Sequence, residues 1–131
     1  MKYLLDTVVW LWSIGPVERI RRQAREMLEN GEEEIYLSAA TSWEISIKLR
    51  TGKLSFPEPP ARHISRFMAR QGLRPLSITH AHAQKVYDLP NHHRDPFDRM
   101  LIAQALAEEM AILTADRHFS KYPVQLVWCG T

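Results

Sequence analysis

Cysteine is almost missing from this chain of 131 residues. The single one, Cys129, has no partner, which excludes a disulfide framework and a cysteine-based metal site. Long apolar runs are missing too, since none approaches the roughly 18 residues that span a membrane. The opening stretch MKYLLDTVVWLWSIG is short, has one basic residue and carries an acid in its middle, so it reads as a first strand and not as a signal peptide. A cytoplasmic location is the resulting expectation. Strong charge of one sign is also lacking. A formal net charge of +2 does not argue for nucleic-acid binding, because affinity for phosphates depends on where the positive groups lie. There is no G-x-S-x-G elbow, no G-x-x-x-x-G-K-[ST] loop and no G-x-G-x-x-G, so the main competing α/β chemistries lack their signatures. Internal repeats and low-complexity tracts are absent as well, and the length suits one domain over residues 1–131.

What is present is a globular composition, 45% hydrophobic and 24% charged, in which short apolar runs alternate with longer helical patterns. Strands are expected at Lys2 to Leu5, Ile35 to Leu37, Leu73 to Ile78, Ala111 to Thr114 and Gln125 to Trp128. Helices are expected at Val17 to Glu29, Ala39 to Arg50, Ala61 to Gln71, His80 to Tyr87 and Pro96 to Glu109, with Gly52 and Gly72 as stops and Thr79 as a cap. This alternation predicts an α/β fold in which a mainly parallel sheet of about five strands carries helices on both faces. The segment 52-GKLSFPEPP-60 is a proline-rich loop, and 91-NHHR-94 is a polar one.

Acids recur where such a fold builds its sites. Asp6 and Asp116 each follow an apolar strand, at the carboxyl edge where open α/β sheets bind ligands. Either could instead close an Asx-turn or cap a helix. In 93-HRDPFDRMLIAQA-105, Asp95 before Pro96 suits the N-cap and first helical position. Asp98 then heads the face of Leu101, Ile102 and Ala105, although complementing the helix dipole is a sufficient role for it. Glu44 lies in 38-SAATSWEISIKL-49. If Thr41 caps, Glu44 closes a capping box; if Ser38 caps, Glu44 falls inside the helix on the face of Ala40 and Ile47 and needs a cation. Were Asp6, Glu44, Asp98 and Asp116 to meet, their repulsion would call for a divalent ion, Mg²⁺ or Mn²⁺ by the hardness of the ligands. Metal-assisted hydrolysis of a phosphodiester is the chemistry such a cluster implies.

The segments 4-LLDT-7, 37-LSAATSWEISIK-48, 93-HRDPFDRMLIAQA-105 and 113-LTADRHF-119 stand in the order and spacing of a known family. The chain resembles the PIN-domain ribonucleases, and within them the VapC toxins of bacterial toxin-antitoxin pairs. That resemblance implies a three-layer α/β/α fold and an acidic pocket for Mg²⁺ or Mn²⁺ formed by Asp6, Glu44, Asp98 and Asp116. It also implies endonucleolytic cleavage of RNA, frequent homodimers and a small cognate antitoxin. A PIN-type nuclease in RNA processing, and a binding module that keeps the fold without catalysis, are the other readings.

Other residues have two readings each. Thr7 and Thr114 either bond the acids or serve as β-friendly strand ends. Arg99 and Arg117 follow acids of the cluster and either grip a phosphate or neutralise the pocket. His92 and His93, adjacent in a loop, lack the i, i+4 spacing of a helical metal pair but could touch RNA. Trp10, Trp12 and Trp43 suit core or groove positions, and Arg19, Arg21, Arg22 and Arg25, interleaved with glutamates, suit a solvated or partner-binding face.

Overall fold

A computed structural model describes residues 1–131. In chain order it has β1 (Lys2–Leu5), α1 (Thr7–Ser13), a 3-10 turn at Val17–Arg19, α2 (Arg22–Glu29), β2 (Glu34–Ser38), α3 (Ala39–Arg50) and α4 (Pro60–Gln71). There follow β3 (Arg74–Leu76), α5 (His80–Lys85), a 3-10 turn at Val86–Asp88, α6 (Pro96–Glu108), β4 (Met110–Thr114), a 3-10 turn at Arg117–Lys121 and β5 (Leu126–Trp128). All strand pairs are parallel and the order is β3-β2-β1-β4-β5. The chain therefore builds outward from β1 on one side through β2 and β3, then crosses to the other side for β4 and β5. The crevice between the carboxyl ends of β1 and β4 is the switch point of the sheet, where ligands bind in open α/β folds.

Alternation along the strands divides the core in two. Leu5, Leu113, Ile35 and Leu37 join Val9, Trp10, Ile20 and Ile45 on one face; Leu4, Met110 and Ile112 join Leu101, Ile102 and Phe119 on the other. With helices over both faces, the central strands are buried on both sides, which is why β4 reads as the unbroken run MAILT. Each Leu or Ile so enclosed contributes roughly 1.5–3 kcal/mol relative to exposure. This is the three-layer α/β/α arrangement that the alternation and the family resemblance both implied.

One helix is unexpected and one expected helix fails. β1 spans Lys2–Leu5 as expected, but the residues after it, Thr7–Ser13, coil into α1, where the sequence pattern places no helix. Asp6, in extended conformation, passes its carbonyl to the amide of Trp10, and Val9 and Trp10 become fully buried. Tertiary burial overrides the strand preference of Thr7, Val8 and Val9. The helix expected from Val17 to Glu29 is broken. Ile20 leaves helical geometry to form an antiparallel bridge with Gly130, and the Arg21 amide donates to the Cys129 carbonyl at 2.7 Å. A continuous helix would lift Ile20, which is fully buried, off the sheet.

The caps hold. Ser38 accepts from the Ala40 amide, Thr79 closes a capping box with His82, and Gly72 ends α4 with φ 66°, a conformation glycine adopts freely. Thr41 lies within α3 and caps nothing. A buried glutamine then links two helices: Ser38 Oγ donates to Gln104 Oε1 at 2.6 Å, and Gln104 Nε2 donates to the Ser77 carbonyl at 3.3 Å. This tie fixes the start of α3 against α6, the two helices that carry Glu44 and Asp98.

Candidate active site

At the switch point a pocket of about 470 Å³ is lined by Asp6, Thr7, Glu44, Lys48, Asp95, Asp98, Asp116, Arg117 and His118, with Val8, Trp12 and Ala115. Asp6, Glu44, Asp98 and Asp116 thus come from four separate elements to one place. Asp6 occupies the N-cap position of α1 yet makes no side-chain cap bond, so its carboxylate is free of the capping role; it accepts from Thr114 Oγ1 at 2.8 Å and is 3% exposed. Asp95 is the cap of α6, accepting from the amides of Phe97 and Asp98 at 2.8 and 3.2 Å. Asp98, released from that task, heads the buried face of Leu101, Ile102 and Ala105. Asp116 does both jobs: Oδ1 accepts from the amide of His118 at 2.9 Å, and Oδ2 lies 3.3 Å from His93 Nε2. The reading of Glu44 as part of a capping box fails, because Ser38 caps α3 and Glu44 sits a turn further in, 6% exposed. Ile47, expected on its face, points outward instead.

The cation that Glu44 needed is Lys48, one turn along α3, with Nζ 2.9 Å from Glu44 Oε2. Glu44 Oε1 remains buried with no hydrogen-bond partner. The acids bear the cost of their crowding. Burial, compounded by the charges of Asp6, Asp95, Glu44 and Asp116, pushes Asp98 up to about 8. Burial also lifts Asp6 to about 6, with Asp116 and Glu44 adding to it and the Thr114 hydroxyl opposing. Asp116 moves the other way: burial would raise it, but hydrogen bonds from the backbone and ring of His118 and from His93 hold it below the usual carboxylate range. Glu44 raises the Lys48 ammonium by its hydrogen bond. An all-oxygen set with an orphaned carboxylate oxygen and two acids made reluctant to ionise fits a hard divalent cation.

The supporting residues divide. Thr114 bonds Asp6 and also accepts from the Asp116 amide at 3.0 Å, so it joins the two strand-end acids. Thr7 turns its hydroxyl to Thr41 Oγ1 at 2.9 Å and away from the acids. Arg117 lines the pocket, its guanidinium 4.8 Å from the centre of the Trp128 ring. Arg99 is turned away. It donates to the carbonyls of Pro90, Val86 and Leu89 and to the Tyr122 hydroxyl, so it braces the segment before α6 and does not face a phosphate. Trp10 is core, its Nε1 donating to Gln71 Oε1; Trp12 lines the pocket; Trp43 is 60% exposed and meets Phe97 edge-on. The residues that sequence reasoning underrated are Lys48, which the i, i+4 spacing from Glu44 flags, and His93, which no local pattern flags. His93 Nε2 lies 3.0 Å from Asp98 Oδ2.

No helix is long and apolar enough to cross a membrane. Over 60 residues the chain is 45% identical to ribonuclease VapC16 of Mycobacterium tuberculosis, a match spanning 46% of this chain and 43% of that protein, less than half the length of either. Its fold matches that of a chain in VapBC2 from Rickettsia felis, a complex bound to a DNA fragment from the promoter, with TM-score 0.74 and 17% identity, covering 97% of this chain and 98% of the other. A chain of DNA-bound VapBC from Salmonella typhimurium gives TM-score 0.71 and 20% identity, with 97% of each chain covered. The family model of the PIN domain matches residues 3–125. A parallel sheet ordered β3-β2-β1-β4-β5, acids at the carboxyl ends of β1 and β4, and that match over nearly the whole sequence place this chain in the PIN domain family.

Proposed function

We propose that residues 1–131 form one PIN domain that acts as a metal-dependent endoribonuclease, the toxin of a toxin-antitoxin pair, in the cytoplasm. The observation that carries the nuclease reading is the pocket itself: carboxylates from α1's cap position, α3, α6 and the end of β4 converge, and Glu44 Oε1 is left buried without a partner. A protein gains nothing from such crowding unless a cation relieves it. Asp6, Glu44, Asp98 and Asp116 are the residues to hold Mg²⁺ or Mn²⁺. The bound ion supplies Lewis-acid stabilisation of the charge that develops on a phosphodiester during hydrolysis.

The chain's own residues do the rest. Asp98 and Asp6, raised by their surroundings, would have to give up protons to hold such an ion. Thr114 holds the Asp6 carboxylate and the Asp116 backbone in fixed relation. Lys48 on one wall and Arg117 on the other bring positive charge to a pocket that must admit an anionic backbone. The products expected are a 5′-phosphate and a 3′-hydroxyl, with no ribose hydroxyl needed as nucleophile.

The toxin assignment is supported by the likeness to ribonuclease VapC16 and by the VapBC folds. A small antitoxin and a second copy of this chain are the expected protein partners, and exposed Trp43 and Ile47 near the pocket give apolar surface for one of them. The test is cleavage of total bacterial RNA by the purified chain, with Mg²⁺ or Mn²⁺ and with chelator, beside folded Asp98→Asn protein. Metal-dependent fragments that disappear in the variant support the reading. Persistent cutting by the variant moves the catalytic role from Asp98 to Asp95. A chain that cuts no RNA with any metal is a binding module that keeps the fold.

A further inference from the structure

The loop 91-NHHR-94 is built more firmly than its composition suggests. The amides of His92 and His93 both donate to the hydroxyl of Tyr122, at 3.2 and 2.8 Å, and Tyr122 is buried beneath them. Arg99 reaches the same hydroxyl and the Pro90 carbonyl. The His93 ring is therefore held from behind, between Phe119 and His118, with its edge against two acids of the pocket.

The nitrogen assignments follow from the partners. The Asp95 backbone amide donates to His93 Nδ1 at 3.2 Å. A backbone N–H is only a donor, so Nδ1 must present its lone pair and the ring proton must sit on Nε2. That N–H then faces Asp98 Oδ2 at 3.0 Å and Asp116 Oδ2 at 3.3 Å, both acceptors. His93, Asp116 and His118 each offer one ligand atom, all within 4.8 Å of one another, a spacing that an ion could bridge, and the His93 nitrogen that faces Asp116 is Nε2. For His93 to ligate there, Nε2 would have to surrender its proton and Nδ1 carry one, pointing an N–H at the Asp95 N–H. The loop geometry opposes that tautomer.

We propose that His93 is a positioning residue of the acid pocket: an imidazole locked as the Nε2–H tautomer, which spans Asp98 and Asp116 as a donor and is not itself a metal ligand. The proposal rests on the pocket being a divalent-metal site. It assigns His93 the task of holding two carboxylates from different elements, the first turn of α6 and the exit of β4, at a fixed separation. It also keeps the ligand set all-oxygen, which suits Mg²⁺ or Mn²⁺ in preference to zinc. Partners of this kind, which touch ligands and not the ion, are worth about 10–100-fold in metal affinity in other proteins.

Two measurements test it. In chain labelled with ¹⁵N-histidine, long-range proton–nitrogen correlation reads the tautomer directly, without any variant. A proton on Nε2 and a bare Nδ1 in the metal-free chain, unchanged when Mg²⁺ is added, is the expected result; a proton on Nδ1, or loss of the Nε2 proton with Mg²⁺, overturns the proposal. Calorimetric titration with Mn²⁺ then compares wild type, His93→Ala and His93→Gln, whose amide can still donate toward the same oxygens. His93→Ala is expected to weaken Mn²⁺ by about 10-fold or more, and His93→Gln to recover most of that loss. Equal weakening in both variants points to a ligand or to ring packing, and unchanged affinity in His93→Ala leaves the ring a merely structural role; either overturns the proposal. If wild type binds no Mn²⁺, the metal reading of the pocket fails and the positioning role with it, while the tautomer remains readable on its own.

Discussion

Replacing Asp98 by asparagine should make the metal-free protein more stable, although it removes a native side chain. Asp98 is raised to about 8 in the folded chain from an ordinary value of 3.8. The folded state therefore binds more protons than the unfolded state between those limits. The contribution of Asp98 to stability is greatest below about pH 4 and falls as pH rises toward about 8, where the loss levels off. At pH 7 the gap is a little over three units, a penalty of about 4 kcal/mol relative to a side chain that never ionises. Solvent at the pocket mouth and the cost of burying an amide offset about half of this, so asparagine should recover about 2 kcal/mol. For a domain of this length that is a rise of about 8 °C in melting temperature. Asparagine also keeps an oxygen for the His93 N–H that Asp98 accepts.

The assay is thermal unfolding of both proteins in chelator at pH 7 and pH 4, and again at pH 7 with saturating Mn²⁺. The gain should shrink below about 1 kcal/mol at pH 4, close to the ordinary value of 3.8, where keeping the folded-state acid protonated costs little. With metal the order should reverse, because wild type gains about 2.7 kcal/mol at a concentration 100-fold above Kd and the variant gains less. An Asp98→Asn protein that is less stable than wild type in chelator at pH 7, or whose gain is equal at the two pH values, would refute the picture of an acid pocket under electrostatic strain.

Metal affinity should climb between about pH 6 and pH 8, as Asp6 and Asp98 lose their protons. Titration calorimetry in buffers of different ionisation enthalpy should show proton release on binding, and a pH-independent affinity would count against it. In an Asp98→Asn background, Arg117→Ala should lower the salt slope of RNA binding by about one phosphate contact. Arg99→Ala should leave that slope alone and destabilise the chain by about 1–3 kcal/mol through lost carbonyl contacts, read by urea unfolding. Glu109 ends α6 in the left-handed region with φ 56°. Glu109→Gly should raise stability by up to about 1 kcal/mol with no change in metal affinity, and a loss of stability would show that the residue is held there by contacts rather than strained.

Periodicity and caps carried much of the fold. Apolar runs placed five strands, all of which form, and the Ser38, Thr79 and Asp95 caps are local chemistry that a short window contains. Local pattern misled where burial competed with propensity. The β-branched run at Thr7 to Val9 is helical because Val9 and Trp10 must reach the core, and the helix from Val17 breaks because Ile20 docks beside Gly130. Neither pull is visible within a few residues of the positions it moves.

The site divides in the same way. By itself the sequence determined that acids follow two strands and head or ride two helices, since a residue's place in an element depends on neighbours within a turn or two. Only the tertiary structure decided which of them meet. The sheet order, with β1 between β2 and β4, brings Asp6 and Asp116 to one crevice, and the tie from Ser38 to Gln104 seats α3 so that Glu44 joins them. It also decided that Arg99 braces a loop, that Thr7 faces Thr41, and that His93 stands between Asp98 and Asp116. The placements of Arg99 and His93 depend on the path of the chain between residues 86 and 99 and on Tyr122, more than 20 residues beyond, while Thr7 and Thr41 stand 34 residues apart, and no local pattern encodes contacts between segments that distant.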